Sequence, residues 1–306
     1  MRIALTGATG FLGRYLLAQF AAEQHTVRAW RRPESKLGGL EHVEGHIEWV
    51  DGGTLGNFEA CRELARGCDV LVHAALARMD FSTFNFGAAM ALHNFSSSLQ
   101  LFEAAKAAGT KRIVFISSCA VYGKILESHP LDETHPLWPD SHYGAHKAAV
   151  EAFVHSYALH EKCTICALRP TAIYGLAYPI EQSKWYDLVA GVVRNEPVEC
   201  TRGSKHVHAA DVARATSLLI QADAERVAGE AFNCVDRYIS EYDVAKRAHA
   251  IAGGHGEIIG EPMRPKNQIE TGKLRSLGFE FGGQEMLEKT IREMIGVARL
   301  AGGAVA

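Results

Sequence analysis

The sequence predicts an α/β fold: a doubly wound parallel sheet, with a smaller C-terminal lobe interleaved into it. Three observations carry this. Over the first two thirds of the 306 residues, short β-branched or apolar runs alternate with longer amphipathic stretches. Such alternation produces right-handed crossovers and a parallel sheet covered by helices on both faces. A glycine-rich turn, "TGATGFLG" at 6–13, joins the first run to the first amphipathic stretch. The composition, 47% hydrophobic with a formal net charge of -3, is that of an ordinary globular chain long enough for one large domain or two.

The elements follow in order. Strands are expected at "RIALT" (2–6), "TVRAW" (26–30), "HIEWV" (46–50), "DVLVHA" (69–74), "RIVFIS" (112–117) and "TICALR" (164–169). Helices are expected between them, at "FLGRYLLAQFAAE" (11–23), "FEACRELAR" (58–66) and "HNFSSSLQLFEAAKAAG" (93–109), where apolar residues recur at helical spacing. The pattern loosens after about residue 176, then resumes with "AADVARATSLLIQA" (209–222), "EAFNCV" (230–235), "EYDVAKRAHAIA" (241–252) and a helical tail, "LEKTIREMIGVARLA". The expected organisation is a nucleotide-binding core over 1–175, to which 205–235 returns, and a smaller substrate-binding lobe from 176–204 and 236–306.

Several function classes are excluded at this level. Basic residues are neither in excess nor gathered into runs, so no nucleic-acid partner is expected. The first residues run straight into a strand with no signal peptide, and no apolar run reaches the ~18 residues of a spanning helix, so no membrane partner is expected and the location reads as cytoplasmic. Seven scattered cysteines fit reduced thiols better than a disulfide framework. The pair in "CTIC" (163–166) lies in a strand-like run, where residues three apart face opposite ways, so a shared metal is not expected. His142 and His146 share a helical face, but no Glu follows the first as metalloprotease chemistry requires. No metal site is therefore expected.

The glycine turn carries the first functional signal. Gly7, Gly10 and Gly13 recur every third residue, with a strand before and a helix after. Glycine there permits a tight turn and lets a pyrophosphate approach the helix N-terminus, where free N–H groups and the dipole favour negative charge. This is the context of a Rossmann-type dinucleotide site. The second signal is "SHYGAHK" (141–147), in which Tyr143 and Lys147 stand four apart at the start of a helix. Positions i and i+4 share one helical face, roughly 5–6 Å apart at Cβ. A free tyrosine titrates near ~10 and needs a neighbouring cation to act as a base at neutral pH.

Together with "HAA" (73–75), "ISSCAVYG" (116–123), "LRPTAIYG" (168–175), "HVHAADVARA" (206–215) and "TGKLRSLGFEF" (271–281), these motifs resemble, in order and over nearly the whole chain, an extended short-chain dehydrogenase/reductase of the NAD-dependent epimerase/dehydratase group. The resemblance implies a nicotinamide dinucleotide held by Gly7, Thr9, Gly10, Phe11, Leu12 and Gly13 at the glycine turn. Asp51 would contact adenine, and Ala74 and Ala75, at the end of the fourth strand, would contact the cofactor. Pro170 and Ile173 would also contact the cofactor. Tyr143 would exchange a proton with the substrate oxygen, Lys147 would tune the phenol and hold the nicotinamide ribose, and Ser118 would hydrogen-bond the substrate oxygen. A homodimer is implied, built from helices around residues 85–108 and 143–160.

Cofactor choice is read from charge. An acid about 20 positions beyond the glycines accepts the ribose hydroxyls of NAD, whereas an Arg suits the 2′-phosphate of NADP. Here Arg31 and Arg32 stand at the end of the second strand and Glu34 lies further into the loop, which favours NADP over NAD. Dehydratases of the group carry an Asp-Glu pair where this chain has Cys119 and Ala120, and its epimerases carry an Arg where Ser204 and Lys205 stand, with Arg202 nearby. The expected function is an oxidoreductase interconverting a secondary alcohol and a carbonyl on a small, sugar-like substrate by a Ser-Tyr-Lys mechanism. The alternatives are a nucleotide-sugar epimerase and a non-catalytic NADP-binding redox sensor; the sensor class typically loses the Tyr-Lys pair retained here.

Overall fold

A computed structural model describes residues 1–77 and 87–303 of the chain. The apolar runs become strands and the amphipathic stretches become the crossovers between them. In chain order these are β1 (Arg2–Thr6), α1 (Phe11–Ala22), β2 (Thr26–Arg31), β3 (Ile47–Asp51), α2 (Phe58–Ala65), β4 (Val70–His73), α3 (Ala88–Ala107), β5 (Arg112–Ile116), α4 (His142–Leu159) and β6 (Thr164–Pro170). There follow β7 (Ala172–Tyr174), α5 (Tyr186–Val193), β8 (Val198–Cys200), β9 (Gly203–His208), α6 (Ala209–Gln221), α7 (Ala224–Val227) and β10 (Ala231–Cys234). The chain ends with β11 (Arg237–Ser240), α8 (Glu241–Ala252), β12 (Ile258–Gly260), α9 (Gly272–Ser276) and α10 (Gly283–Gly303).

Seven strands form one sheet in the order β10-β6-β5-β4-β1-β2-β3, and every pairing is parallel. Leu5 of β1 lies opposite Ala29 of β2 on one side and Val72 of β4 on the other. Chain order reverses at that point, and in open α/β sheets ligands bind beyond the carboxyl ends of the strands at such a switch. This is the Rossmann-type architecture that the alternation predicts. On one face α2, α3 and α4 bury Leu101, Phe102, Val150 and Val154 against Ile113 and Phe115. Phe102 meets Phe115 edge-on at 6.1 Å. Leu101 and Phe102 are fully buried, each contributing roughly 1.5–3 kcal/mol relative to exposure. α1 likewise buries Leu16, Leu17 and Phe20.

The chain divides into two units. The first comprises Met1–Pro170, Val212–Cys234 and Ile269–Phe279; the second comprises Thr171–Asp211, Val235–Gln268 and the chain from Glu280 onward. Three segments differ from the sequence expectation. Residues 171–175, expected at the end of the core, belong to the second unit. Residues 269–279, expected in the smaller lobe, belong to the first unit, where Glu270 N donates to Leu131 O at 2.9 Å and Asn233 Nδ2 donates to Glu270 O at 3.1 Å. Strand β9, most of it expected to return to the core, belongs to the second unit, where it pairs with β7 and β11. That unit also holds the β12–β8 pair and packs α5, α8 and α10 around Val189, Val244, Ile291 and Met294. A capping box between Ser240 and Asp243 starts α8. No helix among the described residues is long and apolar enough to cross a membrane.

Candidate active site

The glycine turn closes tightly for reasons visible atom by atom. Gly7 adopts φ +76, and a Cβ there would lie 2.8 Å from Ala75 N. At Gly13 a Cβ would lie 2.0 Å from Gly7 O. Only glycine lets the turn fold onto the end of β4 and then feed directly into α1. The N-cap of α1 is Gly10, which has no side chain to cap the helix, and among the described residues no side chain is recorded accepting from its first-turn N–H groups. A cavity of about 520 Å³ opens at this end of the sheet, floored by Gly7, Thr9 and Gly10. Trp30 and Arg32 wall it from the end of β2, Ala74 and Ala75 from the end of β4, and Met90 and His93 from α3. A glycine cradle, an uncapped helix start and a cation in one cavity fit a dinucleotide.

Of the residues predicted for the cofactor, Gly7, Thr9, Gly10, Arg32, Ala74 and Ala75 line this cavity. Phe11, Leu12 and Gly13 form the first turn of α1. Arg31 is turned elsewhere: its Nε and Nη2 donate to Asp51 Oδ1 and Oδ2 at 2.7 and 3.2 Å. That pairing lowers the Asp51 pKa and raises that of Arg31. Asp51, expected at adenine, therefore spends its carboxylate on the arginine. Arg32 makes one looser contact, Nε to Glu34 Oε1 at 3.3 Å. Ser35, which the sequence reading did not single out, lines the cavity; its Oγ accepts from Arg32 N at 3.0 Å and from Thr9 Oγ1 at 3.5 Å.

His73 was also missed as a functional position. Donors and acceptors can be assigned along a single chain: Ala75 N donates to Thr6 Oγ1 (3.2 Å), Thr6 Oγ1 to His73 Nδ1 (2.7 Å), His73 Nε2 to Ser98 Oγ (2.9 Å), and Ser98 Oγ to Asn94 O (2.7 Å). This direction requires a neutral imidazole protonated on Nε2. Burial, aided by Lys147 and His146, pushes the His73 pKa down to about 3, which keeps the ring neutral. The chain ties β1, β4 and α3 together beneath the cavity.

Ser118, Tyr143 and Lys147 come together in the same unit. Ser141 caps α4 by accepting from Gly144 N at 3.2 Å. A Cβ at Gly144 would lie 2.1 Å from Ala120 O, so the helix start sits directly on the turn at Cys119–Val121 that Ser118 caps. This contact puts Tyr143 in hydrogen-bond reach of Ser118. Burial raises the Tyr143 pKa, the Ser118 hydrogen bond pulls it down, and Cys119 pushes it up; the net shift is upward. Lys147 is buried, with Nζ donating to Ile116 O at 2.7 Å and lying 5.9 Å from the Tyr143 ring centre. Burial lowers its pKa to about 7, against the opposing pull of Glu151.

Behind this trio lies a buried polar cluster that the motifs did not announce. Arg169 Nε contacts both oxygens of Glu151 at 3.0 Å, and Arg169 Nη2 donates to Oε2 at 2.5 Å. Ser117 Oγ also donates to Glu151, and Arg169 Nη1 donates to Tyr122 Oη. Pro170 ends β6 in the first unit, and Ile173 lies in β7 of the second. The second unit has its own cavity of about 700 Å³, lined by Lys184, Trp185, Arg202, Ser204 and His206 among others. Trp185 there adopts φ +69, a strained conformation for a side chain of its size. Among the described residues no group of three or more His, Cys, Asp or Glu is placed to hold a metal ion.

Comparison with known proteins places this geometry in context. The NAD dependent epimerase/dehydratase family model matches residues 3–234. Over 183 residues the chain is 34% identical to the 4-hydroxy-2-methyl-3-oxo-4-farnesyl-3,4-dihydroquinoline-1-oxide ketoreductase of Stigmatella aurantiaca, covering 57% of this chain and 51% of that protein. It is 28% identical over 156 residues to the uronate dehydrogenase of Pseudomonas syringae pv. tomato, covering 51% and 54% respectively. The chain thus spans about half the length of the curated relatives it matches. Among solved structures, the UDP-glucose 4-epimerase of Thermotoga maritima with UDP-glucose superposes with a TM-score of 0.79 at 22% identity, over 95% of this chain and 98% of that one. That likeness is one of fold.

Proposed function

Since the chain belongs to the NAD dependent epimerase/dehydratase family, we propose that it is an NAD(P)-dependent oxidoreductase interconverting a secondary alcohol and a carbonyl on a small, sugar-like molecule. The observation that carries this reading is the convergence of Ser118, Tyr143 and Lys147 in the unit that also holds the glycine cradle. When bound, a nicotinamide cofactor supplies or accepts the hydride. The protein's own groups handle the proton. With its pKa raised by burial, Tyr143 is a protonated phenol at neutral pH, which is the state needed to donate to a substrate oxygen as a carbonyl is reduced. Ser118 holds that oxygen beside the phenol, and the Lys147 ammonium offsets the charge left on Tyr143. In oxidation the same proton returns.

NADP is the favoured cofactor in this reading, supported by Arg32 at the cavity wall and by the lack of an acid at the end of β2. Nucleotide-sugar epimerisation is the second reading, favoured by the cavity of the second unit with Lys184 and Arg202 on its lining. A cytoplasmic homodimer completes the proposal. Supporting the dimer are exposed apolar side chains on α3 (Leu92) and α4 (Phe153 and Leu159). Residues 85 and 86 of the expected dimer segment lie outside the described residues.

The test is Tyr143→Phe, which keeps the ring and deletes the proton. On whichever member of a panel of sugars, polyols, uronates and nucleotide-sugars the wild type oxidises or reduces, turnover is expected to fall at least ~100-fold while cofactor affinity stays. Near-wild-type turnover in this variant would overturn the mechanism.

A further inference from the structure

Lys147 and Glu151 are four apart on α4, the spacing at which an ammonium and a carboxylate pair across one helical turn. Both are buried, a setting in which such a pair would be strongly drawn together. They do not pair: among the described residues Lys147 forms no ion pair, and its Nζ instead donates to Ile116 O at 2.7 Å and lies 4.5 Å from the Phe115 ring centre. The Glu151 carboxylate is engaged elsewhere. Arg169, reaching across from β6, contacts both of its oxygens, and Ser117 donates to one of them. Arg169 is itself fixed, since Tyr122 accepts from its Nη1 and is held in turn by Asp132 O at 2.9 Å and Asn233 Oδ1 at 3.0 Å.

We propose that Arg169 is a positioning residue: by holding both oxygens of Glu151 it keeps that carboxylate from capturing Lys147, and so leaves the ammonium bonded to Ile116 O beside Tyr143. This rests on the reading of Tyr143 and Lys147 as the proton-handling pair, but the contacts that carry it are independent of any substrate. Two cations and one carboxylate share a buried space, and the guanidinium, with its planar fork, takes the carboxylate through two or more parallel bonds that a single ammonium cannot match.

Removing Arg169 would leave Glu151 as an uncompensated buried charge, with Lys147 the nearest cation on its own helix. The lysine would then be drawn down the helix, away from Ile116 and the phenol. Its protonated form would be stabilised at the same time. The other groups facing Lys147 do not mask this. His73 of β4 and His146 of α4 are held neutral, with pKa values pushed down to about 3 by burial and by the charge of Lys147 itself. Tyr143 on α4 is protonated, and the contacts from β5 are the neutral Phe115 ring and Ile116 carbonyl.

The experiment reads Lys147 directly. The full-length protein is labelled with ¹³C-lysine, the Lys147 signal is assigned by its loss in Lys147→Arg, and its titration is followed by NMR in the wild type, Arg169→Met, Glu151→Gln and the double variant. The wild-type midpoint is expected near 7. Arg169→Met should raise it by ~1 unit or more and Glu151→Gln should lower it, since the carboxylate that favours the ammonium is gone. The double variant should return to within about half a unit of the wild type. If Arg169→Met does not fold, Glu151→Gln and the double variant, in which the buried pair is replaced by neutral groups, still decide the matter. An identical midpoint in all folded variants, or a double variant displaced as far as a single one, would overturn the proposal. Active Tyr143→Phe enzyme would instead sink the catalytic reading while leaving this titration intact.

Discussion

Replacing Arg32 by Ala separates the two arginines that the sequence treats alike. Arg31 is committed to Asp51 by a bidentate pair, so it would have to give up two charge-assisted bonds to reach a phosphate. Arg32 lines the cavity and would give up one contact to Glu34 at 3.3 Å, between side chains 41% and 57% exposed. A charge-assisted hydrogen bond to a phosphate contributes roughly 1.5–3 kcal/mol. The competing surface contact offsets ~0–1 kcal/mol of that, leaving ~0.5–3 kcal/mol, a factor of roughly 2–150 in affinity. Calorimetric titration with NADP and with NAD, at one fixed ionic strength, should show NADP binding weakened by this factor in Arg32→Ala with NAD changed less than ~2-fold, and a smaller NADP effect in Arg31→Ala. Wild-type protein that binds NAD more tightly would refute the reasoning. So would a preference for NADP that survives Arg32→Ala, or a larger loss in Arg31→Ala.

Two further outcomes follow from packing. Gly13→Ala would push a Cβ to 2.0 Å from Gly7 O and 2.6 Å from Ala8 C; since both are backbone atoms the loop must open, and a loss of about 3 kcal/mol or more in urea unfolding is expected, a loss under ~1 kcal/mol showing that the loop is looser than described. Light scattering at micromolar concentration should give a dimer mass for the wild type and a monomer mass for Phe153→Asp, which charges the exposed face of α4; a strictly monomeric wild type would remove the dimer from the proposal.

Much of the first unit was legible because its signals are local. A short apolar run flanked by a glycine turn has few ways to be other than a buried parallel strand, and β1, β2, β4, β5 and β6 begin and end within one residue of the runs that predicted them. α3 begins at Ala88, ahead of the expected start at 93, because "AAMAL" offers good helix formers without an amphipathic pattern to reveal them. The return of residues 269–279 to the first unit was not legible at all. It depends on bonds between segments far apart in the chain, Glu270 to Leu131 and Arg226 to Ser276, which no local pattern encodes.

The candidate site divides along the same line. Residues whose chemistry is unusual for their place, a phenol and an ammonium one turn apart or three glycines in a row of turns, announce themselves. Those that hold them do not, because Glu151 reads as a solvated helix residue and Arg169 as the polar end of a strand. Yet the sequence held one clue. In "TICALRP" the arginine follows five residues with no charge, and the strand that carries it is central enough to have neighbours on both sides. A guanidinium drawn into such a strand must be paired, since an unpaired buried charge costs several kcal/mol. What the sequence withheld was the partner: the acid lies 18 residues earlier, on α4, and only the crossover from α4 into β6 brings it across. Once it is there, the acid that should have paired with Lys147 belongs to Arg169, and the ammonium is left beside Tyr143. The spacing of Tyr143 and Lys147 is thus readable from the motif, whereas the freedom of Lys147 from its own helix neighbour is a property of the fold.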